Sequence, residues 1–317
     1  MGNQNKSDSP GAVINLVRSQ PLALLLGAAI VVTFFYFFGI IPLFVRGTFV
    51  NGTCSVFAWA WQAWNPGANQ EHSKVVPLIF LGLIWYHRKQ ISAAPKQGDN
   101  RGLIFVGLGI ALFVLAARCL QPRLALGSVP FLIYGSVFYL WGKQTARIIL
   151  FPCAFLIFLI PFGAVEQATF RLQFVITGAI GFLCKLVGLH VDAVGTTLTA
   201  SDNRFNFMIA EGCSGIRSLT AMAMLTSVYV HLALRELWKK ITVFLFSVLF
   251  ALIGNVGRIF TIVLVARFGN PKFAEGLYHD YSDWLFFPIA LIAMYLFGQL
   301  LSTRFVGNRK AGEVPGS

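Results

Sequence analysis

A short group of reactive residues interrupts an otherwise apolar chain at residues 211–218, which read EGCSGIRS. The thiol of Cys213 is flanked by Gly212 and Gly215, and Arg217 follows four residues later. If a helix begins here, the positive end of its dipole and Arg217, one turn further along, both favour a nucleophilic thiolate. The glycines add no bulk, so a peptide carbonyl could approach the sulfur. The segment therefore predicts a nucleophilic cysteine, and packing as a small hydrophobic side chain is the alternative.

Two further residues have the chemistry that such a nucleophile needs. Arg258 lies three residues after Asn255 in the apolar run GNVGRIF, whose glycines at 254 and 257 allow close helix packing, and His279 lies in LYHDYSDW. A guanidinium can stabilise the oxyanion that forms when a carbonyl is attacked, and an imidazole can transfer a proton near neutral pH. Together with Cys213 they predict acyl transfer through a thioester. An arginine that only reaches for the lipid headgroups and a solvated loop histidine are the alternatives.

The composition identifies the surroundings of these residues as a membrane. Of the 317 residues, 56% are hydrophobic and 12% are charged, against about 25% charged in average soluble domains. Several stretches run for about 18 residues without a charge, which is long enough to cross a bilayer. The net charge of +13 comes from basic residues at the ends of apolar segments, as the positive-inside rule predicts, so we expect membrane lipids and no nucleic acid as partners.

We predict an all-α polytopic membrane protein with about eight transmembrane helices, an interfacial helix and a short extracytoplasmic β-hairpin. Residues 1–21 and 303–317 would form cytoplasmic tails around a single membrane-embedded domain over 22–302. The predicted spans are 22–45, 75–86, 102–117, 125–142, 148–163, 215–234, 241–266 and 284–302. Segment 168–187 is assigned to the outer interface, although it is apolar enough to span, and the hairpin to residues 191–211.

The distribution of charge predicts the orientation. With both termini in the cytoplasm, the inner loops and the two tails together carry more than half of the 25 Lys and Arg residues. Tryptophans fall at both predicted interfaces, as an aromatic belt requires. In this topology Cys213, Arg258 and His279 share one level near the outer membrane face. Five cysteines without metal-ligand spacing indicate neither a metal site nor a cofactor.

The sequence resembles the exosortase/archaeosortase family of membrane-embedded cysteine transpeptidases. The resemblance rests on E-x-C-S-G-I-R at 211–217, N-x-x-R at 255–258 and His279, and nearly the whole chain from about residue 70 takes part. Residues 71–89 (EHSKVVPLIFLGLIWYHRK) and 147–163 (RIILFPCAFLIFLIPFG) resemble further segments of that family.

The resemblance implies Cys213 as nucleophile, Arg258 as transition-state stabiliser and His279 as acid/base, and the histidine indicates the bacterial branch. Glu211, Ser214, Arg217, Asn255 and His72 are predicted to support the site or bind substrate, with Ser214 more suited to capping a helix than to attack. The implied partners are secreted proteins with a C-terminal tail of motif, span and basic cluster, and an acceptor nucleophile of unknown identity. The enzyme would lie in a bacterial inner membrane with its site facing outward.

Other functions remain open from the sequence. An intramembrane cysteine protease would hydrolyse the same thioester instead of transferring it. A multi-span transporter or lipid-handling protein belongs to a different class, although the predicted mid-bilayer regions lack the charges typical of transport sites. An assembly scaffold with an inactive site is disfavoured by the intact cysteine, arginine and histidine.

Overall fold

The chain forms two compact units, Met1–Asn65 with Glu71–Pro161 and Pro66–Gln70 with Phe162–Ser317. The computed structural model describes residues 21–45, 52–65, 70–161, 163–202, 204–208, 215–278 and 281–310. The predicted arrangement of two tails around one domain over 22–302 stays a prediction.

The first unit is built almost entirely from helices. Its elements are α1 (Pro21–Phe35, continued by a π turn at Tyr36–Ile40), β1 (Phe44–Val45), β2 (Thr53–Cys54), α2 (Val56–Ala63), a 3-10 turn (Glu71–Val75), α3 (Val76–Tyr86), α4 (Arg88–Ala93), α5 (Gly102–Arg118) and α6 (Pro122–Phe155, followed by a 3-10 turn at Leu156–Leu159). The two short strands pair in antiparallel orientation.

Helix α6 is interrupted at Gly142, which has a φ of 80° and a ψ of −177°. The sequence analysis assigned residues 143–147 to a loop between two spans, but these residues are helical. A single glycine makes the break because it adopts positive φ without steric cost. The carbonyl of Gln97 occupies the place that a Cβ at this position would take, so a larger residue would not fit.

The second unit contains helices and one small sheet. Its elements are α7 (Gly163–Leu186), β3 (Val191–Val194), β4 (Thr197–Ala200), β5 (Asn206–Met208), α8 (Ile216–Ala233), α9 (Leu237–Phe268), α10 (Pro271–Phe273, continued by a π turn at Ala274–Tyr278) and α11 (Asp283–Lys310). Helix α7 covers most of the segment assigned to the outer interface, and its place relative to a membrane stays a prediction.

Three helical segments among the described residues are long and apolar enough to cross a membrane: Pro122–Leu159, Leu237–Phe268 and Asp283–Ser302. Two shorter apolar helices, Leu25–Ile40 and Gly102–Arg118, add to them. The prediction of a helical membrane protein is thus confirmed, while the count of eight spans stays a prediction.

The small sheet lies where the sequence predicted a hairpin at 191–211. Its strands run in the order β3-β4-β5, with both neighbouring pairs antiparallel. Val191 pairs with Ala200, and Thr197 pairs with Met208. Strand β5 therefore ends beside the start of β4, and the chain continues from there toward EGCSG.

Helix α9 carries two separate apolar cores of the second unit. Toward its C-terminal end it packs with α7 and the sheet, in a cluster of Ile176, Ile180, Cys184, Leu198, Ala200, Phe205, Ile259, Ile262, Val263, Ala266 and Ala274. Toward its N-terminal end it packs with α8 and α11, in a cluster of Met222, Val230, Leu234, Val243, Ala251, Ala290 and Met294. Residues 252–258 of α9 connect the two cores.

Candidate active site

The connecting stretch of α9 contains two buried polar side chains. Asn255 and Arg258 are each only 4% exposed, and the helical spacing of three residues places them on neighbouring positions of one face. A buried guanidinium is costly unless it is paired and hydrogen-bonded. The surroundings of Arg258 must therefore supply both a charge and an acceptor.

Two consecutive residues at the start of α11 meet this need. The Nε of Arg258 donates a hydrogen bond to the Oγ of Ser282 at 2.9 Å, and its Nη1 lies 2.9 Å from the Oδ1 of Asp283. Ser282 is buried, whereas the side chain of Asp283 is 41% exposed. Arg258 is therefore fixed to the start of α11 by an ion pair whose acidic partner reaches the protein surface.

The residues on both sides of positions 279 and 280 contact the same part of α9. The hydroxyl of Tyr278 donates to Oγ1 of Thr261 at 3.0 Å, and that threonine donates to the carbonyl of Arg258 at 2.7 Å. The backbone N–H of Ser282 donates to the carbonyl of Tyr278 at 2.9 Å. The chain therefore contacts the part of α9 around Arg258 both before and after positions 279 and 280. His279 itself lies outside the described residues.

The residue that precedes α8 also reaches this part of α9. Gly215 has a φ of 77°, and a Cβ added to it would lie 2.7 Å from Nδ2 of Asn255. Its carbonyl accepts hydrogen bonds from the Ser218 hydroxyl at 2.9 Å and from the Leu219 N–H at 2.9 Å. The start of α8 therefore packs directly on Asn255.

The start of α8 differs from the prediction by a residue or more. Gly215 occupies the cap position for which the sequence analysis chose Ser214, and the first helical residue is Ile216. Arg217 is therefore the second helical residue, while Cys213, which precedes Ile216 by three residues in the sequence, lies outside the described residues. The cause is the left-handed backbone of Gly215, which cannot continue a right-handed helix toward the N-terminus.

We expect Gly215→Ala to destabilise the protein by roughly 1–3 kcal/mol, because alanine would be strained at this φ and its methyl group would press on Asn255. Thermal unfolding in detergent measures the loss. Gly178→Ala is a matched control, since Gly178 lies in α7 and has no atom within 4 Å of its added Cβ. Equal melting temperatures for the two variants would contradict the role assigned to Gly215.

Two glycines bring α11 close to α9 at this level, as the sequence analysis predicted from the spacing of Gly254 and Gly257. A Cβ on Gly254 would lie 3.2 Å from the Cβ of Ala290, and one on Gly257 would lie 3.4 Å from Cε1 of Phe286. Small residues allow such close helix packing in membranes. The close approach brings Ser282 and Asp283 within reach of Arg258.

A small, partly open cleft lies beside the ion pair. Its polar lining comes from Ser218, Asn255, Arg258 and Asp283, and its remaining walls are largely aromatic and aliphatic. Charged donors in a confined, partly apolar site interact more strongly with a developing negative charge than they would in water.

The small sheet is fixed to the far end of α9. Arg267, near the end of that helix, donates to Oδ2 of Asp202, and Nη1 of Arg204 donates to the Arg267 carbonyl at 3.3 Å. The hydrogen bond from Arg267 holds the pKa of the Asp202 carboxyl below its usual value. These contacts join the turn between β4 and β5 to the C-terminal end of α9.

The structure describes four of the eight predicted site residues. Asn255 and Arg258 lie together on α9, and half-buried Arg217 lies in the first turn of α8. His72 is half-buried in a 3-10 turn of the first unit, next to Ser73, whose hydroxyl donates to the Phe158 carbonyl at 2.8 Å. The other four, Glu211, Cys213, Ser214 and His279, lie outside the described residues. Within the described part of the chain, no group of three His, Cys, Asp or Glu residues could hold a metal ion.

The sequence analysis missed Ser282 and Asp283. A signal for them was present, because an ionisable residue inside a span calls for a partner, and acidic residues near the start of the next span are candidates. The spacing along the chain could not choose Asp283 over Asp280, since the pairing depends on how α11 packs against α9.

One comparison with known proteins identifies the family of this chain. The family model described as transmembrane exosortase (Exosortase_EpsH) matches residues 61–296, which is well over half of the chain and includes both EGCSGIR and NVGR. No curated protein and no solved structure gave a significant match. The chain therefore belongs to the transmembrane exosortase family.

Proposed function

We propose that this protein is an intramembrane cysteine transpeptidase that removes C-terminal sorting tails from secreted proteins. Its substrates carry a short motif, a span and a basic cluster, and Cys213 holds the cleaved protein as a thioester until an acceptor takes it. The family match favours this enzyme over the transporter and lipid-handling alternatives.

The observation that carries the proposal is the buried Arg258 between two chain segments that lead to Cys213 and His279. Gly215 packs on Asn255. Cys213 is two residues from Gly215, so chain connectivity keeps the Cα atoms of Cys213 and Gly215 within about 7 Å of each other. His279 directly follows Tyr278, which is linked to the Arg258 carbonyl through Thr261. These short connections support a site in which all three side chains act on one carbonyl.

The proposed reaction has two stages, formation of the thioester on Cys213 and its breakdown by the acceptor. The Cys213 thiolate attacks the carbonyl at the cleavage site, and the Arg258 guanidinium stabilises the resulting oxyanion. His279 protonates the leaving nitrogen as the C–N bond breaks, which releases the tail and leaves the thioester. The neutral imidazole then takes a proton from the acceptor as it attacks, and the thiolate departs. An amine acceptor completes a transfer, whereas water would complete a hydrolysis.

The experiment that tests the function is capture of the thioester. Cells that produce the wild-type protein are denatured quickly at neutral pH without thiols, and peptides that contain Cys213 are analysed by mass spectrometry. We expect a protein fragment on Cys213 that hydroxylamine removes and whose C-terminus marks the cleavage site. A Cys213 peptide that is always unmodified, with identical C-terminal tails in cells that have or lack the enzyme, would overturn the proposal.

The proposal also requires a defined topology, with both termini in the cytoplasm and the site facing outward. Single cysteines would be introduced into a variant that lacks all five native cysteines, because Cys119 is exposed and would react by itself. A reagent that cannot cross the membrane should label Asn203→Cys and Glu275→Cys in intact cells. The basic bias of the inner loops predicts protection of Gln90→Cys and Ala311→Cys. Labelling of Ala311→Cys with protection of the first two would mean an inverted chain.

A further inference from the structure

The guanidinium of Arg258 is held in place through two of its own nitrogens. Its Nε contacts the hydroxyl of Ser282 and its Nη1 contacts the carboxylate of Asp283, each at 2.9 Å. One contact would leave the planar group free to turn about the bonded atom, whereas two contacts through separate nitrogens fix the direction of its plane. Both acceptors belong to the start of α11, so the orientation of Arg258 is set by a neighbouring helix.

Charge neutralisation alone does not require this arrangement. A carboxylate near the guanidinium would satisfy the buried charge from many directions. The structure adds the neutral acceptor Ser282, which is 4% exposed and contributes geometry without charge. Close packing at Gly254 and Gly257 fixes the distance between α9 and α11 at the same level.

We propose that Ser282 and Asp283 are positioning residues that orient the Arg258 guanidinium toward the reacting carbonyl. This inference rests on the proposed function, because it assigns a purpose to the orientation of a residue that stabilises the oxyanion. The stabilisation is strongest when donors are already aimed at the place where the negative charge develops, and a misplacement of about 1 Å can cost on the order of 100-fold in rate. Neither residue contacts the substrate in this proposal.

Two substitutions at Asp283 distinguish whether this residue orients the Arg258 guanidinium or only neutralises its charge. Asp283→Asn keeps an oxygen that accepts from Nη1 but removes the charge, and Asp283→Ala removes both. Positioning predicts that kcat falls by about 100-fold in Asp283→Ala, less in Asp283→Asn, and by about tenfold in Ser282→Ala, with KM nearly unchanged. Neutralisation alone predicts equal losses in Asp283→Asn and Asp283→Ala and no change in kcat per folded enzyme for Ser282→Ala.

The assay uses purified full-length enzyme in vesicles and a reporter protein fused to the tail found by thioester capture. Rates are divided by the folded fraction, so that a variant that folds poorly is not mistaken for one that positions poorly. Asp202→Asn is the matched control, since it removes the charge from the Asp202–Arg267 pair, a second Arg–Asp ion pair of the same unit. Its kcat should match that of the wild type.

A double-mutant cycle distinguishes an effect of Asp283 through Arg258 from a general contribution of Asp283 to the structure. If Asp283 acts through Arg258, then Asp283→Ala should cost little further activity in the Arg258→Lys background. An undiminished loss in that background, or wild-type kcat per folded enzyme in Asp283→Ala, would overturn the positioning proposal and leave the proposed function intact. If wild type and Cys213→Ala both leave the reporter uncleaved, or both cleave it equally, the proposed function fails and the inference fails with it.

Discussion

Replacement of Cys213 by alanine should abolish processing of tail-bearing proteins while the protein still inserts and folds. The thiol supplies the covalent step. Of the four cysteines that the structure describes, Cys54, Cys153 and Cys184 are buried, and the exposed Cys119 is tested by a control variant. The expected result is complete loss of the thioester and accumulation of full-length substrates in the membrane. Quantitative mass spectrometry of C-terminal peptides measures both.

Cys213→Ser should be nearly as inactive as Cys213→Ala. A serine hydroxyl stays protonated near neutral pH, because a hydroxyl ionises far less readily than a thiol, so it is a much weaker nucleophile than the Cys213 thiolate. Cys119→Ala is the control for the loss of a thiol, because Cys119 is exposed and lies in the first unit. Wild-type processing in Cys213→Ala would rule out the thioester mechanism.

The sequence predicted α9 and its polar pair because both depend on local spacing. An apolar run in which Arg258 is the single charge between residues 241 and 266 sets the length of the helix. Asn255 and Arg258 are three residues apart, so they share a face in any helix. The glycines at 254 and 257 predicted a close approach for the same reason. The family model covers residues 61–296, a range that contains both EGCSGIR and NVGR, and supports the family assignment alone.

The contacts of Arg258 could not be predicted in the same way. Ser282 and Asp283 are far from Arg258 in sequence, and their contacts depend on how α11 is rotated and shifted against α9. Helical periodicity fixes which residues share a face of one helix and gives no register between two helices. The positive φ angles of two glycines could not be predicted either, because hydropathy reports neither the break in α6 at Gly142 nor the left-handed conformation of Gly215.

Arg258→Lys should lose most of the activity, by roughly 100-fold or more in kcat, although the charge is kept. A lysine ammonium is a compact point charge, so it cannot contact both Ser282 and Asp283 through separate nitrogens and also present a planar set of donors to an oxyanion. The alternative from the sequence was an arginine that extends toward the lipid headgroups, for which lysine would be adequate. The structure disfavours this alternative, since Arg258 is 4% exposed and bonded to a neighbouring helix.

Arg267→Lys provides the matched control for that experiment. Arg267 lies on the same helix and also pairs with an aspartate, but its side chain is 29% exposed and its partner belongs to the small sheet. Exposed ion pairs contribute about 0–1 kcal/mol and tolerate a change of cation, so Arg267→Lys should keep nearly full activity. The two variants carry the same substitution on the same helix, so a general intolerance of α9 to lysine would impair both. Turnover near the wild-type level in Arg258→Lys would show that position 258 needs only a positive charge, and the role of its guanidinium in stabilising the oxyanion would have to be abandoned.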